Sequence, residues 1–91
     1  MSRDFLLEHA GTKAMIARFC EETGFSRAQI SGPQRRQPLV IARHELFRRL
    51  YGTGRLSLSQ IGRMFGKHHS SVLHGIRQAE ERLERGLTEN K

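Results

Sequence analysis

The run Lys67-His68-His69-Ser70-Ser71-Val72-Leu73-His74-Gly75 crowds one ammonium, three imidazoles and two hydroxyls together, with no acid among them. Serine hydroxyls can pair with several base edges, an imidazole can donate or accept, and short side chains let a backbone come close to a groove floor. The chemistry this set suits is recognition of a polyanion. Metal binding fits it poorly: His68, His69 and His74, taken with Cys20, would need ligands at i, i+3 or i, i+4 on a helix, and His69 and His74 are five apart. His74 instead falls at an edge facing DNA or as a half-exposed packing residue. Catalysis fits no better, because His44 and Glu45 could form an acid-base pair but nothing supplies a nucleophile or a pocket.

Two short helices around a glycine must hold these groups. Ser57 with Gln60 three residues later makes a capping box, which predicts a helix through Phe65 with Leu58, Ile61 and Met64 or Phe65 inward. After the Gly66 turn, Val72, Ile76, Ala79 and Leu83 recur at helical spacing and predict a longer helix to about Gly86. That is a helix-turn-helix with its polar residues at the start of the second helix.

Upstream, Met15, Ile16, Phe19 and Cys20 share one stripe and predict a first helix from Thr12 or Lys13 to Thr23, ended by Gly24 as a C′ glycine. Cys20 reads as a buried core thiol of a reducing compartment. Ser26-Arg27-Ala28-Gln29 is a polar turn or a single helical turn. Ser31 to Pro38 is a linker with a proline near each end of the Arg35-Arg36 pair. Pro38 suits the first position of a second helix carrying Leu39, Ala42, Leu46, Phe47 and Leu50 to about Tyr51. No segment alternates as a strand would. The expected fold is all-α, four to five helices on one core, with residues 1–12 a flexible or helical extension, 13–86 the domain and 87–91 a disordered tail. Phe5, Leu6 and Leu7 would pack on the body or on a second copy.

Charge divides along the same lines. Residues 1–30 carry four Lys/Arg and four Asp/Glu, and residues 77–91 again four of each. Residues 31–76 hold Arg35, Arg36, Arg43, Arg48, Arg49, Arg55, Arg63 and Lys67 against the single acid Glu45, so all of the +7 lies in the middle. Such a block is the footprint of a nucleic-acid binder, the plain alternative being a solvated face that only aids solubility. Arg48 and Arg49 lean toward coating their helix. Glu80 to Arg85 reads as a solvated helix end, with Leu83 a less favoured contact for a homodimer. The 91 residues make one small domain with a modest core. No apolar run is long enough to span a membrane and no signal-peptide layout occurs, which points to the cytoplasm and the nucleoid.

The ordered phrase Ser57-Leu58-Ser59-Gln60-Ile61-Gly62-Arg63-Met64-Phe65-Gly66, followed by Lys67-His68-His69-Ser70-Ser71-Val72-Leu73-His74, resembles the C-terminal DNA-binding domain of the bacterial replication initiator DnaA. Ala42-Arg43 and the leucines of the second helix extend the resemblance over about residues 13–80. It implies a TrpR/DnaA C-terminal-like fold in which the last helix enters the major groove and a basic loop sends an arginine into the adjacent minor groove. On that footing His69, Ser70 and Ser71 read base edges, with specificity spread over residues 68–71 and His74. Lys67 holds a phosphate, Arg35 or Arg36 is the minor-groove arm on a flexible loop, and Arg43, Ser57 and Ser59 hold backbone phosphates.

Three departures stand out. A single Gly66 forms the turn, Lys67-His68 replaces the family's Arg-Asp, and Ser71 replaces its commoner threonine. The family's nine-base box therefore does not carry over to this chain. No Gly-x-x-x-x-Gly-Lys-Ser/Thr loop occurs, so the initiator's ATPase is not expected, nor any cofactor. The sequence reads as an excised domain or as a small stand-alone regulator of the kind prophages carry. Its partner would be double-stranded DNA in the control of replication or transcription. With about six phosphates contacted, log affinity should fall against log salt with a slope near −5. The competing class is a small helical module that inhibits or decoys a replication initiator or its loader, which gel retardation on duplex DNA would distinguish. A replication or transcription protein is an expected candidate partner beside DNA.

Overall fold

In the computed structural model the backbone is described for residues 3–89 and the side chains for residues 11–86. The expectations placed on the side chains of Phe5, Leu6 and Leu7 lie outside that range, as do residues 90–91 of the expected tail, whereas α5 runs on through residues 87–89 where the tail was expected to begin. Five helices follow in order: α1 Arg3–Thr23, α2 Arg27–Ser31, α3 Gln37–Gly52, α4 Leu58–Phe65 and α5 His69–Glu89.

The helix boundaries have local causes. α1 begins well before Thr12, because nothing in Ala10-Gly11-Thr12 breaks a helix and Thr12 is buried along the shaft rather than standing as an exposed cap. It ends where predicted: Gly24 takes φ 80° and its N–H donates to the Cys20 carbonyl. The polar turn at Ser26 is a helix with its own capping box, in which Ser26 Oγ accepts from Gln29 N–H and Gln29 Oε1 from Ser26 N–H. α3 starts one residue before Pro38 and runs to Gly52. The Ser57–Gln60 box forms as expected at the start of α4.

α3 is the central helix and packs on each of the other four. Its stripe Leu39, Ala42, Leu46, Phe47 and Leu50 is buried against Ile16 and Phe19 of α1, Ile30 of α2, Ile61 and Phe65 of α4, and Val72 and Ile76 of α5. Each of the large residues sealed completely in this core, such as Leu46 or Ile61, contributes about 1.5–3 kcal/mol by leaving water. Phe47 and Phe65 meet as tilted rings 5.5 Å apart, joining α3 to the helix-turn-helix. Phe65 rather than Met64 is the fully inward residue, and Cys20 is only partly buried at the margin of the core. On the outside, the Arg49 guanidinium lies 5.1 Å over Phe19 and pairs with Glu22, fastening α1 to α3.

Candidate nucleic-acid interface

The turn between α4 and α5 is set by two glycines. Gly66 takes the left-handed conformation, φ 66°, and the chain reverses so tightly that Lys67 N–H donates to the Gly62 carbonyl at 2.8 Å. His68 then stands just before α5, at its cap position. Its carbonyl accepts from Ser71 and Val72 N–H, while its Nδ1 accepts from Ser70 N–H at 3.2 Å and lies 2.7 Å from Ser70 Oγ. A backbone N–H can only donate, so Nδ1 is the acceptor and Nε2 carries the proton. The imidazole thus takes the capping place an aspartate would fill. The His68 and His69 rings lie 4.2 Å apart.

From there α5 is two-faced. Val72, Gly75, Ile76 and Ala79 are buried, whereas His69, Ser70, Ser71 and His74 are exposed on the opposite side. The recognition residues suggested by the sequence therefore share one solvent-facing surface at the start of the helix.

The linker Gly32–Arg36 has no regular structure, yet it is tied down. Arg43, 8% exposed, donates from Nε to the Ile30 carbonyl at 2.6 Å and from Nη2 to the carbonyls of Gln29, Gly32 and Gln34 at 3.1–3.3 Å. Lys67 Nζ donates to the same Gly32 carbonyl at 2.9 Å. The flexible loop expected from the sequence is thus a clamped one. Arg43 differs from its expected part as a phosphate ligand, because Nε and Nη2 are spent on carbonyls beneath the surface. Burial pulls the Arg43 guanidinium below its ordinary pKa, and burial with the nearby Arg43 and Arg35 charges does the same for Lys67. Among the described residues none of these three cations has a carboxylate partner.

Between the clamped loop and the first turns of α5 lies an open cleft of about 700 Å³. Arg35, Arg43, Lys67, Ser70, Ser71 and His74 all line it, with Val40, His44 and Phe47 of α3. Six of the eleven sequence-predicted site residues are brought together there; Arg36, Ser57, Ser59, His68 and His69 are outside its lining. Ser57 and Ser59 stand at the exposed start of α4, where Ser57 Oγ is already the acceptor of the capping bond.

One residue of the site, His44, was not among the DNA-binding residues expected from the sequence. His44 lines the cleft from α3, its Nδ1 3.1 Å from Arg82 Nη1 and its ring edge-on to His74 at 6.1 Å. It can sit there only because residue 75 is glycine, since a Cβ at that position would stand 2.7 Å from His44 Cδ2. The small residue in the stripe of α5, facing α3, is the hint that could have shown this. Arg48 and Arg49 form ion pairs with Glu45, at 2.7 and 2.9 Å, which accords with their coating role.

The sequence profile described as "Bacterial dnaA protein helix-turn-helix" matches residues 12–79, three quarters of the chain and the whole of the site just described. The chain belongs to this family. It is 34% identical over 64 residues to the chromosomal replication initiator protein DnaA of Leptospira biflexa serovar Patoc, which covers 70% of this chain and 14% of the relative. The DnaA of Oleidesulfovibrio alaskensis is 34% identical over 70 residues, 77% of this chain and 15% of its own. That of Thermomicrobium roseum is 38% identical over 65 residues, 70% and 14% respectively. The chain therefore spans about a seventh of the length of these curated relatives. No solved structure matches it significantly. A DnaA-type helix-turn-helix is a DNA-binding domain and not an enzyme domain. No helix among the described residues is long and apolar enough to cross a membrane.

Proposed function

We propose that this DnaA-type domain binds double-stranded DNA sequence-specifically, with the start of α5 in the major groove and the loop carrying Arg35 and Arg36 in the adjacent minor groove. It would act in the control of replication initiation or transcription, at the nucleoid. The cleft between loop and helix carries the reading. A protein that enters two neighbouring grooves must leave room between its two elements for the single sugar-phosphate strand that separates them. Such a passage should be lined by cations and hydroxyls and should hold no acid. Arg35, Lys67, Ser70 and Ser71 supply that lining. His69 would then read a base edge, and Ser57 and Ser59 would meet phosphate at the start of α4.

Selection of bound duplexes followed by gel retardation tests the assignment. His69→Ala should cost about 1–3 kcal/mol on the selected site and little on random DNA. Equal losses on both would remove α5 from the groove.

The salt dependence should be shallower than the bare charge count suggests. Arg48 and Arg49 are paired with Glu45, Arg43 is turned onto carbonyls, and Arg55 packs beside Gly11 of α1. Arg35, Arg36, Arg63 and Lys67 remain. At about 0.9 per phosphate the slope of log affinity on log salt should be about −3.5 rather than −5. A slope of −5 or steeper, from titrations between low and moderate salt, would mean that Arg48 and Arg49 leave Glu45 for DNA.

A further inference from the structure

We propose that Arg43 is the positioning residue of the basic loop: it fixes where Arg35 and Arg36 are presented relative to α5, and so sets minor-groove discrimination without touching DNA. This rests on the DNA-binding reading above and adds to it a residue that acts through others.

Beyond Gly32, which Lys67 and the Gly32 N–H bond to Gln29 also hold, the loop has little other source of order. Pro33, Gln34, Arg35 and Arg36 are exposed, no ladder or helix includes Gly32–Arg36, and Arg36 at the start of α3 makes no side-chain cap. A free segment of that length would have to be ordered at the moment of binding, at a cost in affinity. One guanidinium removes that freedom. Its Nε and Nη2 reach the last carbonyls of α2 at Gln29 and Ile30 and, in the same plane of donors, the loop carbonyls at Gly32 and Gln34. Both carbonyls lie at the negative end of that helix, where the Gly32 N–H already reaches Gln29 but no backbone N–H reaches Ile30, so a cation there is favoured.

Lys67 completes the device. It stands in the turn that opens α5 and holds the Gly32 carbonyl, which Arg43 also holds. The loop is thereby tied at once to the central helix and to the residue just before the recognition surface. Spacing between the two DNA-reading elements is then a property of the free protein. Lysine at 43 would keep the charge but not the fork, because a single ammonium cannot span carbonyls on both sides of the loop.

Two measurements on Arg43→Lys separate positioning from the two other uses of a buried arginine. In the free protein, the backbone N–H order parameters of Gln34, Arg35 and Arg36 should fall to below about 0.6 while Ile76 in α5 stays rigid. On the selected duplex, Arg36→Ala should cost about tenfold in the wild-type background but less than about threefold in Arg43→Lys, because a loose loop no longer delivers the side chain. Unaltered order parameters in the loop would overturn the proposal. So would an undiminished Arg36→Ala penalty, which marks a direct contact of Arg43 with DNA, or order lost equally throughout α3 and α5, which marks a general structural role. Should Arg43→Lys not fold, Lys67→Met in the free protein removes the tie to Gly32 and must lower the same three order parameters to a smaller extent; no change there counts against the clamp. A wild-type chain that retards no duplex would sink the DNA reading and the purpose assigned to the loop, whereas the order parameters of the free protein would still decide whether Arg43 holds it.

Discussion

Gly62→Ala is expected to destabilise the domain by about 3 kcal/mol, at the upper end of what overpacking costs. Gly62 is buried on α4 where the chain doubles back, and its carbonyl accepts the Lys67 N–H. A Cβ built there falls inside the van der Waals envelope of the Lys67 carbonyl oxygen and also approaches the His68 carbonyl carbon. These neighbours are backbone atoms, so no rotamer change relieves the clash. The turn from Gly66 to His68 must move, and with it the start of α5. Two readouts follow: a lowered urea midpoint, and a loss of selected-site affinity that persists under conditions where the variant is fully folded. Gly52→Ala is the control. It ends α3 with nothing near its Cβ position and without a positive φ, so it should be neutral or stabilise by up to about 1 kcal/mol. Equal urea midpoints for Gly62→Ala and the wild type would show that the turn tolerates displacement and that its close approach is not a constraint.

That contrast shows what sequence can and cannot disclose here. Signals that act within a few residues were legible. The Ser57–Gln60 box, the Gly24 stop, the stripe Leu39 to Leu50 and the two-faced start of α5 are local or periodic, and each is found where the pattern put it. The Ser26–Gln29 box is the same signature, and of the polar turn or single helical turn expected there the structure has the helical one, α2, since a five-residue helix has too little periodicity to decide between them from sequence. Charge was legible as a total but not as an allocation. Counting treats Arg35, Arg43 and Arg48 alike, yet one faces the cleft, one is buried under a loop and one is paired with Glu45. What separates them is the position of carbonyls 9–14 residues away and of a carboxylate one turn back, and only tertiary packing fixes the first of these. The proline-bounded linker looked flexible for the same reason. Composition reports what a segment can do alone, and this one is held by Arg43 and by a lysine 35 residues on.

His44 provides the second large effect, a loss of stability on mild acidification. Burial, then the Arg82, His74 and Arg43 charges, lower its pKa from 6.5 to about 4. The hydrogen bond agrees, since an arginine can only donate, so His44 Nδ1 must offer a lone pair to Arg82 Nη1. The fold therefore holds this imidazole neutral, whereas the unfolded chain protonates it near 6.5. Between those values the unfolded state binds more protons than the native state, so stability falls as pH falls. The contribution is whole above about pH 6.5, declines through pH 5 and is gone below about 4, amounting to about 3 kcal/mol in all. For a domain whose total is of order 5–15 kcal/mol that is a substantial share. Glu45, whose carboxyl is held low chiefly by its bond to Arg48, adds a separate loss that begins only below its ordinary value of 4.5. The two windows can thus be told apart by urea denaturation at pH 7.0, 5.5 and 4.5. His44→Gln keeps an acceptor for Arg82 but cannot titrate, so its stability should be nearly flat between pH 7.0 and 5.0. A wild-type chain equally stable at pH 7.0 and 5.0, or a His44→Gln variant that loses as much as the wild type, would show that the imidazole beneath α5 accepts its proton freely.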